Sequence, residues 1–204
     1  MKIALIDLDK EMIKAWEERF TRYTEVQIIN AEFGEYMKGH LEEIDAVVSA
    51  ANSFGLMDGG MDAAYIKVLG EELQNTVQEK LITEYLGEQP VGSSMIVAIP
   101  GYAGKWLIHT PTMRVPQPVL DPRVVYSCTR SALVTGLKND IGTILLPAFG
   151  HLTGKVKSSV VALLMEKAYR DILNRMKDTS YNNWQSVYKD HFGGFEDDLM
   201  EFFG

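Results

Sequence analysis

The chain has 204 residues, 46% apolar and 24% charged, with a formal charge of −8. A chain this long buries roughly 70% of the surface it exposes when unfolded, enough for one sizeable core, and this composition excludes wholesale disorder. The acidic balance excludes general duplex binding through many lysine and arginine contacts, and no apolar run reaches the ~18 residues that would cross a bilayer. Asp7 falls too early for the apolar region of a signal peptide. The lone Cys128 cannot form an intrachain disulfide, so a reducing cytoplasm is expected. A small anionic ligand stays open, because backbone N–H groups at a helix start hold phosphate without a positive side chain.

Apolar runs and helical periodicities alternate along the chain. Lys2–Leu8 reads as a buried strand, and Asp9 can cap a helix carrying Met12, Ile13, Trp16 and Phe20. Val26–Ile29 is the second strand, followed by a short glycine-bounded segment around Tyr36–Leu41. Ile44–Ala51 is too continuously apolar for a half-exposed strand and is expected to be central, covered on both faces. After Gly59-Gly60 a helical pattern carries Ala64, Tyr65, Val68 and Leu69, is interrupted at Gly70, and resumes through Leu73, Val77, Leu81 and Tyr85. Met95–Ile99 and Trp106–His109 are further strands. Pro111, Pro116, Pro118 and Pro122 predict a rigid, extended loop. Val125, Cys128, Ala132 and Leu133 mark a helix, Ile141–Leu146 a buried strand ending at Pro147, and Val161, Leu164, Ala168 and Ile172 a long final helix. This order predicts an α/β fold: a three-layer α-β-α sandwich around a mixed, largely parallel sheet.

The predicted division is an α/β domain over 1–177 and an appendage over 178–204, whose aromatic and acidic residues either dock on that domain or form a contact surface for a partner.

Ligands of open α/β sheets bind beyond the carboxyl ends of the strands. Two such junctions carry glycines: Ser49-Ala50-Ala51-Asn52 leading through Gly55 to Gly59-Gly60-Met61-Asp62, and Pro147-Ala148-Phe149-Gly150-His151-Leu152-Thr153-Gly154-Lys155. Neither is a nucleoside-triphosphate loop. Gly150 is separated from Gly154-Lys155 by three residues where the P-loop needs four, and Val156 stands where it needs Ser or Thr. The histidines and Cys128 show no metal-ligand spacing, and nothing calls for a cofactor.

Taken together, the two loops resemble the macro domain, the ADP-ribose-binding module. Ser49-Ala50-Ala51-Asn52 and Gly59-Gly60-Met61-Asp62 stand where the family has Asn-Ala-Ala-Asn and a glycine-rich stretch ending in Val-Asp, with the family's ten-residue step from Asn52 to Asp62. Leu107-Ile108-His109-Thr110 resembles its next core strand, and Pro147-Ala148-Phe149-Gly150 the approach to its diphosphate loop. The likeness spans roughly residues 25–175, and the run from Ser49 to Gly60 with Pro111–Pro116 is most similar to a bacterial and phage branch.

The resemblance implies the roles that follow. Asn52 would bond the distal ribose, with Ser49, Ala50 and Ala51 lining the site beside it. Gly59, Gly60 and Met61 would press main chain against that sugar and the diphosphate, and Asp62 would orient water, as in hydrolytic members. Phe149, Gly150, His151, Leu152, Thr153 and Gly154 would wrap the diphosphate, and adenine would lie near Glu32 and Phe33. The sequence also departs from the family. Ser49 replaces an asparagine, Asp58 replaces a glycine, and His151-Leu152 replace Thr-Gly, which implies a differently shaped second loop because leucine resists positive φ.

Other readings stand beside these. Asn52 can bond its own loop, and Asp62 can simply favour a helix start. His109 reads as a core histidine, Arg114 as a guard of the cleft or a solvated charge, and His151 as a phosphate donor. Three functions follow. The protein hydrolyses an ADP-ribose derivative at the distal ribose, or it only binds an NAD-derived nucleotide to sense or sequester it in signalling or counter-defence. In the third, it is a structural protein that has lost the pocket.

Overall fold

The computed structural model describes residues 1–177. The predicted appendage over 178–204 lies outside the described residues. Six strands form one sheet: β1 (Lys2–Asp7), β2 (Val26–Asn30), β3 (Ala46–Asn52), β4 (Met95–Ala98), β5 (Trp106–Met113) and β6 (Thr143–Pro147). Their order is β2-β1-β6-β3-β5-β4, parallel except for the antiparallel edge strand β4. The helices are α1 (Lys10–Phe20), α2 (Phe33–His40), α3 (Gly60–Leu69), α4 (Glu72–Tyr85), α5 (Val124–Lys138) and α6 (Ser158–Lys177).

The period-two alternation of each strand sorts its side chains into two cores. Ile3, Leu5, Val48, Ile144 and Leu146 pack with Met12, Trp16, Phe20, Leu133, Val161 and Leu164 of α1, α5 and α6. Ala4, Ile6, Val47 and Leu145 pack with Phe33, Tyr65, Leu73 and Val77 of α2, α3 and α4. Burying one such large apolar side chain contributes roughly 1.5–3 kcal/mol, so both faces of the sheet drive folding. The predicted three-layer sandwich is the observed fold.

Local chemistry sets the element ends. Asp9 caps α1 by accepting the Glu11 N–H at 2.8 Å. The glycine-bounded segment near Tyr36 is a full helix that begins earlier, at Phe33, because Glu32 caps it by accepting the Glu35 N–H. Gly70, at φ 101°, ends α3 where the periodicity breaks. Pro111 is not in a loop: β5 runs on through it to Met113. The neighbouring β4 stops pairing at His109, so no ladder bond is lost where proline lacks an N–H.

The N–H ends of α3 and α6 and the carboxyl ends of β1, β6, β3 and β5 converge on one edge of the sheet, where both glycine-bearing loops lie.

Candidate functional site

A cleft lies on that edge, in two adjoining lobes. The first, about 150 Å³, is bounded by Ala50, Ala51 and Asn52 at the end of β3, by Leu56 and Asp58, by Gly59–Asp62 at the start of α3, and by Met113, Pro116 and Thr153. The second, about 80 Å³, is bounded by Asp7, Thr112, Pro147, Ala148 and residues 150–154. Ala50, Gly60, Met61, Met113 and Thr153 line both lobes, so the two glycine loops face each other across one opening.

Asp62 sits in the first turn of α3 with only 7% of its surface exposed. The Ser49 hydroxyl, fully buried on β3, donates to Asp62 Oδ1 at 2.5 Å. Burial pushes the Asp62 pKa up to about 7, the Ser49 hydrogen bond opposes the rise, and the charge of Asp58 adds to it. A carboxyl poised near neutrality can accept or deliver a proton at physiological pH. The Tyr65 hydroxyl donates to the Val48 carbonyl at 2.7 Å and fixes α3 against β3 beneath this pair.

Asn52 lines the first lobe, but its amide serves its own loop. Nδ2 donates to the Leu56 carbonyl at 2.7 Å, and Oδ1 accepts the N–H groups of Phe54 and Leu56. The side chain therefore shapes the Ser53–Met57 turn from inside. The guanidinium of Arg114 packs over the Phe54 ring and pairs with Glu88 through two nitrogens, at 2.6 and 3.0 Å. It braces this loop from outside and lines neither lobe.

The first turn of α3 begins at Gly59, which offers no side-chain cap, so its N–H groups are left for water or a ligand. Gly60 takes φ +55°, and a Cβ there would project into open space. In the second loop Gly154 packs so closely that a Cβ would lie 2.4 Å from the Gly150 carbonyl oxygen. Gly150 at φ +70° and Lys155 at φ +56° absorb the unusual backbone angles. Leu152 does not take positive φ, because the left-handed positions of this loop fall on Gly150 and Lys155. Leu152 instead stands 70% exposed at the rim.

His151 lines the second lobe with both nitrogens engaged, Nε2 with Asp9 Oδ2 at 2.8 Å and Nδ1 with the Val156 carbonyl at 3.2 Å. The contact with His151 holds Asp9 below the usual carboxylate range. This ring pins the second loop to the start of α1 and has no nitrogen left over for a phosphate. Phe149 is fully buried beneath the loop. Glu32 is spent as the α2 cap, and Phe33 is buried edge-on against Tyr65, so neither lines the cleft. His109 is a core residue, as expected: it is fully buried, held by Gln89, and burial lowers its pKa to about 3.

The cleft has contributors that sequence reasoning passed over. Asp7, 7% exposed at the end of β1, lines the second lobe with its pKa raised by burial. The signal was its place at a strand's carboxyl end, the same rule that selected the two loops. Met113 and Pro116, from the proline-bearing stretch after β5 begins, also line the first lobe. Among the described residues no cluster of three or more His, Cys, Asp or Glu is placed to hold a metal.

A profile of the Macro domain family matches residues 48–165, more than half of the chain. An uncharacterised protein of Aquifex aeolicus is 32% identical over 136 residues, covering 66% of this chain and 79% of that protein. One of Thermotoga maritima is 29% identical over 146 residues, and there the chain spans only 23% of the relative's length. Among solved structures, the Oceanobacillus iheyensis macrodomain with ADP is similar at a TM-score of 0.55 and 23% identity, covering 62% of this chain and 67% of that one. With its sheet, its two glycine loops and the step from Asn52 to Asp62, this chain belongs to the Macro domain family.

Proposed function

We propose that the cleft binds ADP-ribose or a closely related NAD-derived nucleotide and hydrolyses the bond at its distal ribose, in a mono-ADP-ribose or O-acetyl-ADP-ribose type substrate. Support for binding comes from the two facing glycine loops and from relatives: the Oceanobacillus iheyensis macrodomain has been solved with ADP and, as a glycine-to-valine variant, with ADPR. Among the described residues neither lobe is lined by lysine or arginine, so the diphosphate is held by main-chain N–H groups of Gly60, Met61 and the loop from Gly150 to Gly154. Glu32, Phe33 and His151, engaged elsewhere, take no direct part. A cytoplasmic setting belongs to the same proposal and rests on the single, buried Cys128.

One observation carries the hydrolytic part. Asp62 is a buried carboxyl on the cleft wall whose pKa stands at about 7. It takes a proton from the attacking water while the α3 N–H groups and Asn52 hold the sugar side of the ligand. The test follows release of ADP-ribose from a protein mono-ADP-ribosylated on carboxylates and from O-acetyl-ADP-ribose. Asp62→Ala should cut turnover by about 10²–10⁴-fold, typical of losing a general acid or base, with binding of ADP-ribose retained. Asn52→Ala should damage both, because the turn it organises carries the sugar-facing wall.

A second reading, a module that binds the nucleotide without turning it over, is favoured by the engagement of the Asn52 amide oxygen and one of its N–H groups in its own loop. Wild-type protein that binds ADP-ribose and leaves both substrates, and arginine- and lysine-linked ADP-ribose, intact would decide for it.

A further inference from the structure

We propose that the group joined to the distal ribose in this protein's preferred substrate is positively charged, a guanidinium or ammonium nitrogen rather than a phosphate, and that Asp58 selects it. The inference rests on the function proposed above and names the substrate class of that same site.

The two lobes differ in what they offer a ligand. The second is wrapped by the backbone of residues 150–154 and suits the anionic diphosphate; its one carboxyl, Asp7, is buried, with its pKa raised by that burial. Among the described residues the first is lined by two carboxylates, Asp58 and Asp62, and by no lysine, arginine or histidine. Asp62 is buried to 7% exposure, with Oδ1 taken by Ser49, and no described residue donates to its Oδ2. No ion pair or hydrogen bond engages Asp58 among the described residues. The two charges sense each other, since Asp58 contributes to the raised pKa of Asp62.

Burying an anion beside two carboxylates incurs both desolvation and like-charge repulsion. A guanidinium or ammonium meets the opposite: it neutralises the pair and brings the N–H donors that their free oxygens lack. The first lobe thus discriminates by repulsion as much as by attraction. Cleavage balances. Water places its hydroxyl on the anomeric carbon, and the carbon–nitrogen bond breaks with its electron pair on nitrogen. The remaining water proton reaches that nitrogen by way of Asp62. The charge of the departing side chain is the same before and after.

The experiment measures calorimetric affinities of the full chain for three ligands: ADP-ribose, a peptide ADP-ribosylated on arginine, and ADP-ribose 1″-phosphate. A second peptide, ADP-ribosylated on lysine, separates guanidinium from ammonium. Wild-type protein should bind the arginine-linked peptide at least about tenfold more tightly than the phosphate. Asp58→Asn should shrink that ratio to about threefold or less, and Asp58→Lys should invert it; both changes lie in an exposed loop. Equal or tighter binding of the phosphate by wild type, or a ratio untouched in both variants, overturns the inference while ADP-ribose binding stands. If ADP-ribose itself does not bind, the proposed function falls, and this inference falls with it.

Discussion

The Ser49 hydroxyl donates to Asp62 Oδ1 at 2.5 Å across the junction of β3 and α3, with both side chains buried. One hydrogen bond from a neutral hydroxyl only partly offsets the desolvation of a carboxylate, so the folded protein prefers Asp62 protonated up to about pH 7, against 3.8 for an unperturbed aspartate. The folded state therefore binds the extra proton between those values, and stability present below about pH 4 is lost as the pH rises towards 7. Asp62→Asn mimics the protonated form. It should match wild type at pH 4 and exceed it by up to about 4 kcal/mol at pH 8, the equivalent of about three pKa units. Denaturant unfolding at both pH values measures this, and parallel pH profiles for the two proteins would refute it.

The same titration reaches the ligand. A diphosphate enters a cleft whose wall carries Asp62, so ionising that carboxyl weakens binding. Affinity for ADP-ribose should rise several-fold between pH 8 and pH 6 in wild type and stay flat in Asp62→Asn, as read by calorimetry.

Gly60 opens α3 at φ +55°, with free space where a side chain would start. Gly60→Glu should fold, at a cost of roughly 1–2 kcal/mol for a left-handed non-glycine residue. It should abolish ADP-ribose binding by filling both lobes and adding charge. Undiminished affinity in the folded variant would mean that the diphosphate is held elsewhere.

Gly154 leaves no such room. The methyl of Gly154→Ala would lie 2.4 Å from the Gly150 carbonyl oxygen and 2.8 Å from the Gly150 Cα, atoms of a turn that cannot retreat without opening. The turn also passes on to the Gly154 carbonyl, which accepts the Val119 N–H at 2.8 Å. Gly154→Ala should cost about 2 kcal/mol or more by thermal melting and weaken ADP-ribose binding. A melting temperature within a degree of wild type would contradict this packing.

Lys155 and Lys157 line a groove between α1 and the start of α6, on the far side of the second loop from the cleft. Replacing both with glutamine should change ADP-ribose affinity less than about tenfold, or 1.4 kcal/mol. A larger loss that deepens at low salt would make the loop a cationic clamp.

The layers were legible because burial on both faces of a sheet imposes a nearly continuous apolar run, as at Ala46–Ala51 with Ser49 its one polar residue, and burial on one face of a helix imposes the spacing of Met12, Trp16 and Phe20. Local punctuation was legible where one residue carries the reason: Asp9 as a cap, Gly70 as a stop. Pro111 misled because its cost depends on whether a neighbouring strand is present to miss its N–H. That is a property of the sheet's edge and not of the residue.

The order of residues alone settles the alternation of elements, the family and the two loops that face the cleft, because each is written in contiguous spacing. Side-chain engagement is not. His151 stands in a loop read as phosphate-binding, yet the fold sets Asp9 at 2.8 Å from its ring, and Asn52 lines the cleft while its amide also bonds its own loop. Glu32 and Phe33 were drawn away by a helix cap and by the ring of Tyr65. Asp7 lines the cleft because β1 pairs with β6, whose end at Pro147 lines it too. A polar atom bonds whichever partner three dimensions bring within 3 Å, and residues far apart in the chain have no spacing from which that partner can be read.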